Sequence, residues 1–389
     1  MRYLRFGQTE LSMPAISCGG MRYHHKWEDV EWNEIPKEGQ KNLERTLAAA
    51  IDLGINHIET ARGYGSSEMQ LGYALKQFQR ESFILQTKVG PENDPREFRS
   101  KIETSLNYLQ VDSVDLLSIH GINNRERIQW SMRKGGCLEE ARKVQKAGLT
   151  KHVGFSTHAT LSEILELINT GEFEYINLHW YFVNQLNGPA IEAAAKQDMG
   201  VFIISPNDKG GRLYTPPEKL VEICKPLHPM AFNDLFCWAS PHVHTVSCGA
   251  SCPEDFDLHV EAMEHFENAD KLITPIITKI QDEVEKTFGP DWYDNWFKNL
   301  PEWTDTPHQI NVKDILRLFT WAKSIDLIDF AKWRYSMLDS YGHWIPGKRV
   351  QRFKKQDMLD AVSESPFAEQ IPAYLKEADA LLKGYTGPT

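Results

Sequence analysis

Residues 57–72 read HIETARGYGSSEMQLG, and this stretch contains the change from a strand to a helix on which the predicted fold depends. Its short apolar run ends in the carboxylate Glu59, and Tyr64 follows five residues later. A Gly-Ser-Ser-Glu sequence then predicts the start of a helix, because serine is favoured at the helix N-terminus and an acidic residue in the first turn. The stretch is therefore one β-strand, one turn with ionisable side chains and one α-helix.

Two later apolar runs also end in a single ionisable side chain. FILQTK (residues 83–88) ends in Lys88, and VDLLSIH (residues 114–120) ends in His120. A carboxylate, a phenol, an ammonium and an imidazole thus stand at or after the ends of successive predicted strands. Groups of these types can give and take protons when a fold brings them together.

The spacing of the apolar runs predicts the fold. Short β-type runs recur, mostly about 25 to 45 residues apart with amphipathic helical stretches between them, at residues 15–18, 56–58, 83–87, 114–119, 152–155, 175–178, 201–204 and 245–248. Eight such units are what a (β/α)8 TIM barrel requires. A doubly wound sheet would carry a glycine-rich loop after its first strand, and Cys18-Gly19-Gly20-Met21 lacks that pattern. We predict an α/β fold, a (β/α)8 barrel, preceded by an N-terminal β-hairpin that turns at Gly7 and closes the bottom of the barrel.

The β-type runs stop near residue 265. The remaining sequence is helical in pattern and rich in tryptophan. We therefore predict two parts, a barrel over residues 1–265 and a helical C-terminal extension over residues 266–389.

Composition excludes several classes of protein. A net charge of −11 argues against nonspecific binding to nucleic acid. No apolar run approaches the roughly 20 residues that span a bilayer, and the first six residues lack the apolar region of a secretory signal. Six cysteines are scattered in the pattern of reduced thiols. We expect a cytoplasmic protein with no nucleic-acid or membrane partner. Cys248 and Cys252 could form half of a zinc site, but no second pair accompanies them, so we predict no metal.

The four groups at the strand ends suggest one chemistry. A phenol has an ordinary pKa near 10, and the Lys88 ammonium would favour the phenolate and lower the pKa of Tyr64. Glu59 would pair with Lys88, and His120 would donate a hydrogen bond to a carbonyl oxygen. Any one of these residues alone is more often a packing or solvated side chain. The four in this order favour a site.

The chain resembles an aldo-keto reductase. In that family an acidic residue is followed by Thr-Ala, Tyr-Gly, Ser-Glu and Leu-Gly, which residues 59–72 match, and a lysine and a histidine end the next two strands, as Lys88 and His120 do here. Gly154-Phe155-Ser156 and Ser205-Pro206 also match. The resemblance covers about residues 1–265 and implies four catalytic residues, namely Tyr64, Lys88, His120 and Glu59.

The resemblance also implies a nicotinamide cofactor, usually NADPH, bound without a Rossmann fold. The residues that match the family's contacts to the carboxamide are Ser156, Thr157 and Asn177. Those near the pyrophosphate are Ser205, Lys209, Gly211 and Leu213, and those under the adenosine are Gly249, Ala250 and Ser251. NADH is the alternative, because Asp255 falls where other members often place a basic residue for the 2′-phosphate.

Four further positions depart from the family pattern. Glu59 stands for the usual Asp, Thr157 for Asn, Asn177 for Gln, and Ile204 for the aromatic ring that stacks on the nicotinamide. The extension resembles the tail of a subgroup that carries a ferredoxin-like iron–sulfur segment. A cluster needs four thiolates, and no cysteine follows Cys252, so we predict a degenerate ferredoxin-like tail without an iron–sulfur cluster.

Two classes of function remain. The first is an NAD(P)H-dependent oxidoreductase that reduces a small aldehyde or ketone to an alcohol, with Tyr64 as proton donor. The alternative, motivated by the departures, is a cofactor-binding sensor or regulatory subunit with little turnover. A third hypothesis is a barrel that binds a phosphorylated metabolite instead of a nicotinamide. The sequence leaves open the physiological substrate and the oligomeric state, because specificity in such barrels lies in loops.

Overall fold

The computed structural model describes residues 1–387. The chain divides into two compact units. The first comprises residues 1–181, 187–206 and 234–267, and the second comprises residues 182–186, residues 207–233 and the chain from residue 268 onward. A division into domains at residue 265 stays a prediction. The last two residues of the predicted extension lie outside the described residues.

The first unit contains a closed barrel of eight parallel strands, preceded by a hairpin. The hairpin pairs β1 (Tyr3–Arg5) antiparallel with β2 (Ser12–Pro14). The barrel strands are β3 (Ile16–Gly19), β4 (His57–Glu59), β5 (Ile84–Val89), β6 (Val114–Ile119), β7 (Thr150–Ser156), β8 (Tyr175–Leu178), β9 (Gly200–Ile203) and β10 (Thr245–Cys248). Strand β10 pairs with β3 and closes the barrel. The predicted (β/α)8 barrel and its N-terminal hairpin are confirmed.

Helices connect the strands of the barrel, and the last of them follows β10. They are α1 (Lys37–Asp52), α2 (Ser67–Leu75), α3 (Pro95–Leu109), α4 (Arg125–Met132), α5 (Cys137–Lys146), α6 (Leu161–Asn169), α7 (Gly188–Lys196), α8 (Glu218–Cys224), α9 (Pro229–Ala239) and α10 (Asp257–Met263). Helix α3 illustrates how local sequence sets their bounds. The Asp94 side chain accepts a hydrogen bond from the Arg96 N–H, and Pro95 occupies the first turn. Phe98 and Ile102 then bury the apolar face.

Helix α2 begins where the sequence predicts, but its serines do not cap it. The N-cap Ser66 makes no side-chain capping bond. Its hydroxyl oxygen instead accepts the backbone N–H groups of His25 and Lys26, at 2.9 and 3.2 Å. The Ser67 hydroxyl donates to the carbonyl oxygen of Gly20 at 2.8 Å. The predicted capping role was wrong because both hydroxyls bind the loop after β3 instead.

The interior of the barrel has an apolar bottom and a polar middle. Phe6 of the hairpin is fully buried, with its ring centroid 5.7 Å from that of Tyr175. A Cβ at Gly200 would lie 2.7 Å from the Phe6 ring, so glycine is required there. Above this plug, Gln86 donates to the Ser118 hydroxyl at 3.0 Å, and Ser118 donates to the Tyr175 hydroxyl at 3.0 Å. These bonds satisfy polar groups that would otherwise be costly to bury.

Among the residues that the structure describes, the second unit is built from helices, and Ile310 and Lys348 form an isolated bridge. Its later helices are α11 (Ala269–Phe288), α12 (Trp292–Asn295), α13 (Val312–Ile325), α14 (Ile328–Met337), α15 (Lys355–Ala361) and α16 (Ile371–Leu382). Trp292 is fully buried in this unit, stacks on Phe288 and donates its indole N–H to Thr320. Within residues 1–387, no helix is both long enough and apolar enough to cross a membrane.

Candidate active site

The four predicted catalytic residues stand at one end of the barrel. Glu59 is the last residue of β4, Lys88 lies near the end of β5, and His120 directly follows β6. Tyr64 lies in the turn between β4 and α2. Because parallel strands end at the same face of a barrel, all four belong to its C-terminal face, where active sites of this fold occur.

Glu59, Lys88 and Tyr64 form a connected group. Lys88 and Glu59 make an ion pair, and their residues are 1% and 3% exposed. The Lys88 ammonium also donates to the carbonyl oxygen of Thr60 at 2.8 Å and to the Tyr64 hydroxyl at 3.3 Å. The Tyr64 hydroxyl donates to Glu59 Oε1 at 3.4 Å. The longer Glu59 side chain therefore reaches Lys88 although the family pattern has Asp at this position.

Burial is the main cause of the pKa shifts of Tyr64 and Lys88. Burial raises the pKa of the Tyr64 phenol above its ordinary value of 10, and burial lowers the pKa of the Lys88 ammonium well below its ordinary value. The expectation that the pKa of Tyr64 falls was wrong, because burial of the phenol raises it. The phenol consequently keeps its proton.

His120 packs against the edge of this group. Its ring centroid lies 5.8 Å from that of Tyr64, and the two ring planes meet at 84°. Arg127 holds the turn after β6, since its guanidinium donates to the carbonyl oxygens of His120 and Gly121 at 3.0 and 2.6 Å. The Gly121 N–H in turn donates to the Ser156 hydroxyl at 2.9 Å. The imidazole is thus positioned by its own strand and by α4.

The loop after β3 brings an exposed indole to the site. Trp27 is 63% exposed, and its ring lies 6.3 Å from that of Tyr64 at 90°. The Lys26 carbonyl oxygen accepts the Ser66 N–H at 3.1 Å. Gly65, with φ of +53°, leaves no room for a Cβ beneath this loop. The sequence signal for the contact between this loop and the start of α2 is the pair Ser66 and Ser67, which was interpreted as a helix cap.

The predicted carboxamide residues have different hydrogen-bonding capacities. Ser156 and Asn177 are partners in the register of β7 and β8, and both are buried. The Asn177 Nδ2 atom is buried without a hydrogen-bond partner, and the Ser156 hydroxyl oxygen accepts only from the Gly121 N–H among the bonds described for residues 1–387. The Thr157 hydroxyl donates to the Ile122 carbonyl oxygen and accepts the Ala159 N–H. Ser156 and Asn177 therefore fit a carboxamide, whereas Thr157 already supports the loop.

The predicted pyrophosphate residues fall into both units. Ser205 belongs to the first unit and has a φ of +53°. In the second unit, Gly211 has a φ of +132°, and the buried Leu213 donates its N–H to the Asn207 carbonyl oxygen at 2.9 Å. Lys209 is half-buried. Burial and the neighbouring Arg334 cation lower the pKa of Lys209 to about 7.

The predicted adenosine residues Gly249, Ala250 and Ser251 follow β10. The Ser251 N–H and hydroxyl both donate to Asp255 Oδ2, at 2.8 and 2.7 Å. Arg22 pairs with the same carboxylate at 3.6 Å and donates to the Gly249 carbonyl oxygen at 2.9 Å. An internal carboxylate thus uses the donors that a phosphate would need, so this end does not fit a 2′-phosphate.

Two histidines that the sequence reasoning missed stand next to the carboxamide residues. His158 follows Ser156 by two positions, and His179 follows Asn177 by two positions. Their Nε2 atoms are 3.0 Å apart. The two-residue step along each strand was the available signal. Over residues 1–387, no group of three or more His, Cys, Asp or Glu side chains is placed to hold a metal ion, and the six cysteines are unpaired.

The comparison with known sequences identifies the family. Residues 15–210, half of the chain, match the profile of the Aldo/keto reductase family. The chain belongs to this family, as the motifs at Glu59, Lys88 and His120 predict.

Individual relatives are more distant. L-galactose dehydrogenase from Arabidopsis thaliana is 33% identical over 120 residues, which cover 28% of this chain and 37% of the relative. The chain thus spans about a third of the length of the curated relatives that it matches. Aldo-keto reductase AKR11C1 from Bacillus halodurans, solved in its holo form, has a TM-score of 0.57 at 20% identity and covers 70% of this chain and 96% of that chain. An aldo-keto reductase from Klebsiella pneumoniae, solved with NADPH, has a TM-score of 0.54 at 18% identity and covers 70% and 95%. These two structures are similar to this protein in fold.

Proposed function

We propose that this protein is an NAD(P)H-dependent oxidoreductase that reduces a small aldehyde or ketone to an alcohol, with Tyr64 as the proton donor. The observation that carries the proposal is the buried Glu59–Lys88 ion pair, whose ammonium donates to the Tyr64 hydroxyl at 3.3 Å. A buried pair of this kind costs desolvation, and its position beside a tyrosine at the catalytic face of the barrel gives it a chemical use.

Each residue of the site has a separate role in the proposed reduction. The nicotinamide supplies a hydride to the carbonyl carbon when it is bound. His120 donates a hydrogen bond that orients the carbonyl oxygen over Tyr64. Tyr64 then donates its proton to that oxygen as negative charge develops there, and Lys88 stabilises the phenolate that remains, held by Glu59.

A raised pKa does not prevent this transfer. An alkoxide is a much stronger base than an ordinary phenolate, so the buried phenol can still transfer its proton to it. The same shift keeps Tyr64 protonated at neutral pH until the carbonyl oxygen becomes basic. The ammonium matters in the transition state, where the phenolate forms, more than in the ground state.

Support for a nicotinamide cofactor comes from the family and from the free donor of Asn177 beside Ser156, which suits a carboxamide oxygen. The Klebsiella pneumoniae relative in fold was solved with NADPH. In this chain the Asp255 carboxylate disfavours NADPH, because it would repel the 2′-phosphate. We therefore propose that NADH binds at least as well as NADPH, and that no iron–sulfur cluster is bound. A small carbonyl compound as substrate and a cytoplasmic location complete the proposal.

The second candidate is a cofactor-binding sensor with little turnover. The specific observation in its favour is that the Thr157 hydroxyl is already committed to the Ile122 carbonyl oxygen and the Ala159 N–H. A carboxamide held by fewer groups would place the nicotinamide less accurately, and errors of about 1 Å in position can cost about 100-fold in rate.

One experiment separates the two candidates. Purified protein is titrated with NADPH and NADH by cofactor fluorescence, and a panel of aldehydes is then tested for cofactor oxidation by the wild type and by Tyr64→Phe. We expect cofactor binding in both proteins and oxidation about 10²- to 10⁴-fold slower in the variant. Tight cofactor binding without Tyr64-dependent oxidation would support the sensor instead. If neither NADPH nor NADH binds, both candidates are refuted.

A further inference from the structure

Arg62 lies in the turn that carries Tyr64, and its backbone ties that turn to the neighbouring strand. The Arg62 N–H donates to the carbonyl oxygen of Lys88 at 2.9 Å, and the Tyr64 N–H donates to the carbonyl oxygen of Ala61 at 2.9 Å. The chain is therefore attached to β5 two positions before the phenol. The orientation of the turn around this attachment then depends on what its side chains contact.

The Arg62 side chain supplies a second tether to the same strand. Its Nη1 atom donates to Oε2 of Glu68 in α2 at 2.6 Å, and the other oxygen of that carboxylate accepts the Thr87 hydroxyl at 2.6 Å. Thr87 directly precedes Lys88 in β5. Residue 62 is thus joined to β5 twice, once through its backbone and once through its side chain and Glu68.

The second tether is buried, so the loss of either partner is costly. The Glu68 side chain is fully buried, and that of Arg62 is 12% exposed. Removal of one partner from a buried ion pair leaves the other charge uncompensated. The guanidinium also lies 4.6 Å over the Tyr108 ring of α3 and pairs with Asp29 of the loop after β3. These contacts leave the Arg62 side chain few alternative positions.

We propose that Arg62 is a positioning residue for proton donation by Tyr64. The inference rests on the proposed function, because it assigns Arg62 to the step in which the phenol gives up its proton. The Tyr64 hydroxyl lies 3.3 Å from Lys88 Nζ and 3.4 Å from Glu59 Oε1, which are long hydrogen bonds. A small shift of the turn would break both, so the ring needs support from outside the site. The tether from Arg62 through Glu68 supplies that support, and an error of about 1 Å in position can cost about 100-fold in rate.

The kinetic test is a double-mutant cycle between Arg62 and Tyr64. The values of kcat and KM are measured with an aldehyde for the wild type, Arg62→Met, Tyr64→Phe and the double variant. We expect Arg62→Met to lower kcat by about 10- to 100-fold and to leave the KM for the cofactor unchanged. It should have no further effect once Tyr64 is replaced, because no proton donor is left to position. Arg62→Lys, which can still donate to Glu68, should recover part of kcat. Equal losses in both backgrounds overturn the inference.

A second set of variants separates position from stability. Arg62→Met leaves the buried Glu68 carboxylate uncompensated, whereas Arg62→Met/Glu68→Gln leaves neither position charged and keeps an oxygen to accept the Thr87 hydroxyl. We expect the thermal midpoint of this double variant to recover towards the wild-type value and its kcat to stay as low as in Arg62→Met. Arg99→Met, which removes an arginine whose partner Glu103 lies on the same helix, is the matched control and should leave kcat unchanged. A kcat that recovers together with stability would indicate a structural role alone and overturn the inference.

Hydrogen exchange tests the tether without turnover. The N–H groups of Arg62 and Tyr64 are both hydrogen-bonded in the turn, so loosening of the turn should speed their exchange. In Arg62→Met/Glu68→Gln we expect exchange over residues 60–67 to rise by about 10-fold or more, and exchange in β6 to stay unchanged. That result supports the tether even if no aldehyde is reduced, and in that event only the proposed reaction fails. Unchanged exchange over residues 60–67 overturns the inference.

Discussion

The Glu59–Lys88 ion pair allows the structural and chemical roles of the site to be measured separately. Its two side chains are almost fully buried, so the removal of one partner leaves the other charge uncompensated. We expect Glu59→Leu and Lys88→Met each to lower the free energy of unfolding by about 3–5 kcal/mol. At about 2–4 °C for each kcal/mol, the midpoint of thermal unfolding should fall by roughly 6–20 °C.

The double variant Glu59→Leu/Lys88→Met supplies the control. Replacing a buried ion pair by apolar side chains of similar volume is often neutral or stabilising. We therefore expect its thermal midpoint to recover to near the wild-type value. Its turnover should stay absent, because Tyr64 has lost the ammonium 3.3 Å from its hydroxyl. Calorimetry and cofactor oxidation on the four proteins form the double-mutant cycle. A double variant as unstable as the sum of the single ones would contradict charge compensation, and one that turns over would contradict the role of Lys88.

Three further predictions concern other residues. Burial alone would raise the pKa of the Glu174 carboxyl. Its hydrogen bonds, of which the one with His152 has the largest effect, instead hold that pKa at about 2. The wild type should therefore lose up to about 3 kcal/mol of stability as pH falls from about 4.5 towards 2, and Glu174→Gln should lose less in urea unfolding at pH 6, 4 and 3. With the pKa of Lys209 at about 7, dinucleotide affinity measured by fluorescence should weaken as pH rises from 6 to 9 in the wild type and stay flat in Lys209→Met. Gly65→Ala should lower the thermal midpoint and kcat, because its Cβ would overlap the Lys26 carbonyl oxygen at a positive φ; wild-type values for both would exclude this packing.

Local patterns explain what the sequence predicted well. The eight barrel strands could be predicted because each is a short apolar run between turn signals, and bounds such as Val114–Ile119 and Tyr175–Leu178 were predicted to the residue. Glu59 and Lys88 could be paired in advance because neighbouring parallel strands end at one face.

What the sequence did not predict depends on groups distant along the chain. The Ser66 hydroxyl could have capped a helix, but it binds the backbone 40 residues earlier. The pKa of Tyr64 depends on how much water the whole barrel excludes, which a motif does not encode. His158 and His179 meet only because β7 and β8 pair in one register.

The two ends of the proposed cofactor site differ in how well they suit the group. Asn177 offers a buried donor without a partner, whereas Ser251 has both of its donors bound to Asp255. The Asp255 carboxylate therefore affects which nucleotide binds. The replacement of the usual Asp by Glu59 is tolerated, because the longer side chain still forms the ion pair with Lys88.

Proton donation by Tyr64 is best tested by a stopped-flow measurement of a single turnover, with cofactor-loaded wild type and Tyr64→Phe in H2O and in D2O. We expect cofactor oxidation by the wild type to slow in D2O, because the Tyr64 proton moves in the same step. We also expect Tyr64→Phe to be about 10²- to 10⁴-fold slower with an unchanged cofactor affinity. Equal rates in the two solvents together with a variant that matches the wild type would contradict it.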